Sequence, residues 1–433
     1  MNRDDIVSLD KAHVWHPYTA MDEYIARTDP FVVERAEGAR LFDKDGRSYI
    51  DGNSSWYVAG LGHGHPRVVR ALVEQAKTLA HCSLAGTTHE PAARLARELT
   101  SVAPAGLSRV FFTDNGSTSI EVAVKMAVQA WAQTCAPKKT RFIALEGAFH
   151  GDTIGAASLG GVEVFRRPFA SVLFDCVRVP SPALGGYEAA FASLRRAFEN
   201  DADTVAGVVV EPIVQATAGM QIYRAEFLRE LRALCTRHYV WLVLDEVFTG
   251  YGRTGPMWAS EHAGVLPDLM CVGKAFSAVL PMGATLATER VFDAFRGGKE
   301  NAFYYGHTFC GNPLGASVAR EVLAIYRDEA VLAQVARKAP AIRRAFDALG
   351  ELPGVARVRS IGMIGAADLT APEGGGYLGS KGWRVFEEAR KRGAFLRPLG
   401  DTVYVCPPLT IPEKELDELL AIVRESIAAV VHP

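Results

Sequence analysis

The sequence predicts an α/β fold, with a large central domain around a mainly parallel sheet and a smaller α/β domain built from both termini. Two observations predict this. Between about residues 66 and 325, short apolar runs alternate with amphipathic helical stretches, and the runs are apolar throughout, as strands covered on both faces must be. Before and after that stretch the texture changes to a hairpin pattern and to long helices with short strands.

In chain order, residues 31–51 (FVVERAEGARLFDKDGRSYID) alternate apolar and polar around Lys44-Asp45-Gly46, a β-hairpin pattern. Helices are expected over 66–80 and 90–102. Strands are expected over 109–113, 141–145, 172–179, 205–210, 240–244 and 269–272, with helices over 117–133 and 224–238 between them. Further on come helices over 315–327 and 331–349, short strands within 355–369, 395–399 and 402–406, and a last helix over 413–430. The stretch 373–380 (EGGGYLGS) reads as a loop. The expected division is an N-terminal segment 1–60, a large domain 61–325 and a C-terminal domain 326–433.

Composition narrows the function classes. The 433 residues suffice for two or three domains sharing a cleft. A formal charge of −2 provides no basic field for nucleic acid or anionic lipid. Seven cysteines with no C-x-x-C spacing argue for reduced thiols rather than a disulfide framework. No secretory leader pattern opens the chain and no apolar run is long enough to span a bilayer, so a cytoplasmic enzyme is expected.

Ligands of a parallel sheet bind beyond the carboxyl ends of its strands. Four features fall there. FFTDNGSTSIEVAVKMA (111–127) runs a strand through Asn115-Gly116-Ser117-Thr118 into a helix, so backbone N–H groups and the helix dipole can cradle a phosphate. The bland alternative is an ordinary N-cap. WLVLDEVFTGYGRTG (241–255) ends an apolar strand at Asp245, a carboxylate able to keep a ring nitrogen protonated. A helix-capping or metal-binding acid would leave the same trace, but no phosphate-loop motif supports a nucleotide hydrolase. DLMCVGKAFS (268–277) ends at Lys274, a lysine that is costly behind a buried strand unless it is paired or used. RFIALEGAFHGDT (141–153) offers Phe149 or His150 as an aromatic plate, against the alternatives of a core Phe and a hydrogen-bonded structural His. His63 and His65 lack a third ligand and read as a turn, not a metal site.

Taken together these motifs resemble the class III (fold type I) aminotransferases, which use pyridoxal 5′-phosphate (PLP), over essentially the whole chain. The resemblance rests on DNGSTSIEVAVKMA, AFHGDT, EPIVQATAGM, LDEVFTGYGRTG, the lysine of VGKAF, and GHTFCGNPLGASVA. HVWHPYT, DGNSSWY, AFHGDTIGAASLGG and LRPLGDTVYVCPP are most similar to the biotin-pathway branch, which aminates 8-amino-7-oxononanoate.

The resemblance implies that Lys274 binds the cofactor covalently and that Asp245 meets its ring nitrogen. It implies that Gly116 and Ser117 hold the phosphate and that Phe149 stacks on the ring. Thr308 would reach the phosphate in a neighbouring subunit, which implies a homodimer with shared sites. Tyr18, Trp56, Tyr57, Asp152, Gly306, His307 and Tyr404 would bind substrate, and Arg397 its carboxylate. Arg253 would be a second pocket cation paired with Asp152, and Glu211 a pocket residue. The implied amino donor is S-adenosylmethionine or lysine. This chain departs from the pattern in carrying Phe149 where the branch often has Tyr, Tyr57 where many members have Trp, and Phe248 where many class members have Gln. The alternatives are another ω-amino acid transaminase and a non-catalytic PLP-binding regulator.

Overall fold

The computed structural model describes residues 1–134, 136–370 and 376–431. Its centre is a seven-stranded sheet in the order Leu107–Thr113, Gly283–Thr288, Leu269–Val272, Trp241–Asp245, Val205–Val210, Arg141–Leu145, Cys176–Val179. The last five strands in this order pair in parallel, whereas Gly283–Thr288 runs antiparallel to both its neighbours. Val205–Val210 and Trp241–Asp245 are buried at every position, which explains their unbroken apolar sequence.

Helices cover the sheet where amphipathic stripes were expected: Glu90–Val102, Gly116–Gln133 and Ala225–Arg237. The Gly116–Gln133 helix starts from a capping box in which Asn115 accepts from the Thr118 N–H and the Thr118 side chain answers the Asn115 N–H. Its buried side carries Ile120, Val122, Ala123 and Ala127 against the sheet.

Two smaller sheets are built from the ends of the chain. The strands Val33–Glu37, Arg40–Asp43 and Ser48–Asp51 form an antiparallel set, and Ala394–Phe395 joins its edge in parallel with Ile50 and Asp51. Val355–Ile361, Ile364–Leu369 and Thr402–Val405 form the other. Helices Val331–Leu349 and Glu413–Val431 pack behind them.

Several local expectations change. The strand expected over 172–179 begins only at Cys176, because Arg167–Val172, with Pro168 at its start, forms a 3₁₀ turn. The strand expected over 395–399 is two residues long, since Pro398 cannot donate to a ladder. Gly283–Thr288, made mostly of small residues, gave no strand signal in the sequence. Of the 373–380 loop, residues 373–375 lie outside the described residues, and Gly376–Leu378 is a 3₁₀ turn. The six described cysteines are free thiols. Among the described residues no helix is long and apolar enough to cross a membrane.

Candidate active site

The carboxyl ends of the central strands open into a cavity of about 520 Å³ that also reaches residues 56–58 and the segment from Arg397 to Tyr404. Its floor comes from three strand ends. Asp245 is the last residue of Trp241–Asp245, buried, with Oδ1 accepting the Val247 N–H at 3.1 Å. Its other oxygen meets His150 Nδ1 at 2.7 Å, and both side chains are almost wholly withdrawn from water. His150 is therefore a partner of the acid and not a ring plate, which leaves Phe149 on the cavity wall. His150 Nε2 is buried without a hydrogen-bond partner.

Lys274 follows the Leu269–Val272 strand at φ +49°, a left-handed conformation that a lysine adopts only when its surroundings impose it. Desolvation lowers its pKa, while Asp245 and Glu211 pull in the opposite direction. The amine therefore loses its proton more readily than an exposed lysine does. Glu211 is buried beside it and accepts the Phe149 N–H at 3.1 Å and the Ala216 N–H at 2.9 Å. Desolvation raises its pKa to about 7, with His150 opposing and Asp245 adding to the rise.

A candidate phosphate cradle stands at the start of the Gly116–Gln133 helix. Thr118 N–H is taken by Asn115, whereas Gly116 and Ser117 line the cavity. Glycine is required at 116, since a Cβ there would come within 2.5 Å of Val247 Cγ1. Gly151, at φ +123°, is likewise demanded by the Ser117 side chain pressed against it. The cradle, the half-buried, desolvated amine and the carboxylate suit a cofactor with a phosphate, a carbonyl and a basic ring nitrogen, which is the chemistry of PLP.

The opposite wall is irregular backbone. Ser54, Ser55, Trp56 and Tyr57 have φ of 48°, 44°, 58° and 72°, making one left-handed turn. Such a conformation costs roughly 1–2 kcal/mol per residue. It is held from several sides: Ser54 Oγ donates to the Cys406 carbonyl at 2.6 Å, and Ser55 Oγ to Asp51 Oδ2 at 2.8 Å. The turn delivers Trp56 and Tyr57 to the cavity, where the Tyr57 hydroxyl meets that of Tyr404 at 2.8 Å. Phe248 packs edge-on against Tyr57 with ring centres 4.6 Å apart, so the residue that replaces a common Gln is part of an aromatic wall. Tyr18 lines the same space, its hydroxyl hydrogen-bonded to Asp152. Arg397 enters from the segment before Thr402–Val405, its backbone N–H held by Asn53 Oδ1 at 2.6 Å.

Not every expected residue converges there. Arg253 is buried outside the cavity lining and does not pair with Asp152, whose carboxylate accepts from Tyr18. The Arg253 guanidinium instead donates to the Pro407 carbonyl at 2.7 Å and contacts Ser54 Oγ at 3.4 Å, clamping the backbone behind the left-handed turn. Gly306, His307 and Thr308 do not line the cavity of the single chain. Gly306 and Thr308 are exposed, and His307 Nδ1 lies 3.5 Å from Asp114. Two lining aromatics, Phe165 and Tyr377, had no sequence signal; they pack edge-to-face, 4.9 Å apart.

A parallel sheet with a strand-end lysine, a strand-end acid and a helix-borne phosphate cradle defines a PLP-dependent transferase of fold type I. The chain belongs to the class III aminotransferases, whose family model matches residues 24–427. It is similar to the adenosylmethionine-8-amino-7-oxononanoate aminotransferase of Geobacter sulfurreducens, at 39% identity over 97% of each chain. The Synechococcus elongatus enzyme of the same name is 41% identical over 95% of this chain and 98% of its own. Among solved structures, that aminotransferase from Methanocaldococcus jannaschii superposes with a TM-score of 0.95 at 32% identity, covering 99% of both chains. An omega transaminase from Pseudomonas jessenii in complex with PMP gives 0.92 at 27% identity over 98% of both.

Proposed function

We propose that this enzyme transfers an amino group to the 7-keto carbon of 8-amino-7-oxononanoate, giving 7,8-diaminononanoate for biotin biosynthesis, with S-adenosylmethionine as donor and lysine as the alternative. The observation that carries the reading is a single cavity holding a desolvated lysine and a buried acid on one side and an arginine among aromatic rings on the other. An acceptor with an apolar methylene chain ending in a carboxylate needs that combination. The near full-length likeness to enzymes of that name supports it.

PLP, when bound, supplies a carbonyl that condenses with amines and a ring that accepts electrons. Lys274 Nζ is the attachment point. Its readily deprotonated amine would take the proton from the carbon bearing the donor nitrogen. Asp245 keeps a proton on the ring nitrogen, and His150, bonded to Asp245 Oδ2, fixes the acid's orientation. Gly116 and Ser117 hold the phosphate, and Phe149 covers the ring. Thr308, exposed in the single chain, would complete the phosphate site of a second copy in a homodimer. Trp56, Tyr57, Tyr18 and Tyr404 exclude water along the methylene chain, and Arg397 binds the carboxylate. The domain limits proposed at about residues 60 and 325 fall between the strands of the terminal sheets and those of the central sheet, and the free thiols suit the reducing cytoplasm.

The test is to mix the PLP form separately with S-adenosylmethionine, lysine and alanine and follow conversion to the pyridoxamine form, then add 8-amino-7-oxononanoate or pyruvate. Conversion by one of the first two donors, discharged by the keto acid and not by pyruvate, is the expected outcome. Discharge by pyruvate alone would favour an ω-amino acid transaminase, the reading supported by the likeness to the Pseudomonas jessenii structure.

A further inference from the structure

Arg397 is flanked by two indoles. Its guanidinium carbon lies 5.0 Å from the ring centre of Trp56 and 5.5 Å from that of Trp383. Trp56 arrives from the left-handed turn and lines the cavity. Trp383 comes from the first turn of the helix Lys381–Lys391 and does not line it. It is 42% exposed, an unusual place for a tryptophan with no core to fill. Its other aromatic neighbour is Phe386, at 5.7 Å, which in turn meets Phe395 of the terminal sheet at 5.4 Å.

We propose that Trp383 is a positioning residue for carboxylate recognition: with Trp56 it brackets the Arg397 guanidinium and holds it ready for a bidentate carboxylate. Arginine attracts aromatic rings through its cationic face, whereas its N–H donors lie in the plane of the group. Rings against the cation therefore restrain the long side chain without using the hydrogen bonds that the ligand requires. Arg397 is also fixed at its root, where Asn53 accepts its backbone N–H while donating to the Tyr404 carbonyl at 3.3 Å. A flexible arginine would lose rotamer entropy each time it bound a carboxylate; one already restrained loses less. The preference for a carboxylate is thus set partly by a residue outside the cavity. This inference rests on the reading of Arg397 as the carboxylate receptor.

The test uses the PLP-loaded enzyme and two inhibitors of the same chain length, nonanoate and nonanamide. Their inhibition constants are measured against wild type, Trp383→Leu, Trp383→Phe and Arg397→Ala. The expected result is that Arg397→Ala abolishes the preference for nonanoate. Trp383→Leu should reduce the preference by roughly three- to tenfold, and Trp383→Phe should recover most of it. Nonanamide binding should change little in either Trp383 variant. An unchanged preference in Trp383→Leu, with loss in Arg397→Ala, would overturn the inference and leave the carboxylate site standing. Equal weakening of both inhibitors in Trp383→Leu would also overturn it, since a general structural role predicts that pattern. If Arg397→Ala keeps the preference, the receptor reading itself falls.

Discussion

The floor and the far wall of the cavity are built by different means. The floor hangs on regular structure: Asp245 closes one apolar strand of the central sheet, Lys274 stands two residues beyond the end of another, and the candidate phosphate cradle is the start of an 18-residue helix. The wall is irregular, made of a left-handed turn near the N-terminus, Arg397 and Tyr404 near the C-terminus, and hydrogen bonds that tie the two together. A reaction common to a family needs its reacting groups fixed relative to one another, and strand ends do that. A substrate preference needs a surface that can change without moving those groups, and loops supply it.

If the floor carries the chemistry, changes there should lower turnover, and changes in the wall should alter substrate binding. The largest effect is expected for Asp245→Asn, which removes the charge facing the ring nitrogen; kcat should fall by on the order of 10²-fold or more. Steady-state kinetics with saturating substrates checks it, and a fall of less than fivefold would break the division. A smaller effect is expected for Tyr57→Phe, which deletes the Tyr57–Tyr404 hydroxyl contact. KM for the keto acid should rise about two- to tenfold with kcat nearly constant. A kcat effect larger than the KM effect would place the wall in the chemistry.

The smallest expected effect concerns a third buried acid, away from the cavity. Glu246 accepts the Ala259 and Ser260 N–H groups at 3.1 and 2.9 Å, and desolvation raises its pKa to about 7 from 4.5. The folded state thus keeps this proton to higher pH than the unfolded state. Its contribution to stability is full below about pH 4.5 and is lost as pH rises through about 7. The wild-type thermal midpoint should carry that downward slope between pH 5 and 7.5, and Glu246→Gln should flatten it by on the order of 1–3 °C. Parallel profiles for the two proteins would contradict this assignment.

The same contrast explains what the sequence revealed. Asp245, Lys274 and Gly116 were legible because each follows an unbroken apolar run or opens a helix, and such patterns are local. The pairing of His150 with Asp245 joins residues 95 apart in the chain, so RFIALEGAFHGDT favoured a hydrogen-bonded structural histidine over a plate without naming its partner. The wall was less legible. Nothing in Ser54-Ser55-Trp56-Tyr57 favours positive φ; the turn exists because Asp51, Cys406 and Arg253 hold it. Arg253 was misplaced for a related reason: a charged residue within a glycine-rich active-site motif resembles a ligand contact, but its guanidinium satisfies a buried carbonyl instead. Gly306–Thr308 stand outside the cavity of the single chain, so the roles proposed for them rest on the resemblance to the family and not on this geometry.

Everything proposed for the site depends on one lysine, Lys274, carrying the cofactor. Purified enzyme loaded with PLP should be reduced with borohydride, digested and mapped by mass spectrometry. A pyridoxyl group is expected on Lys274 and on neither of the buried lysines Lys139 and Lys338. A label on another lysine, or none on Lys274, would contradict it.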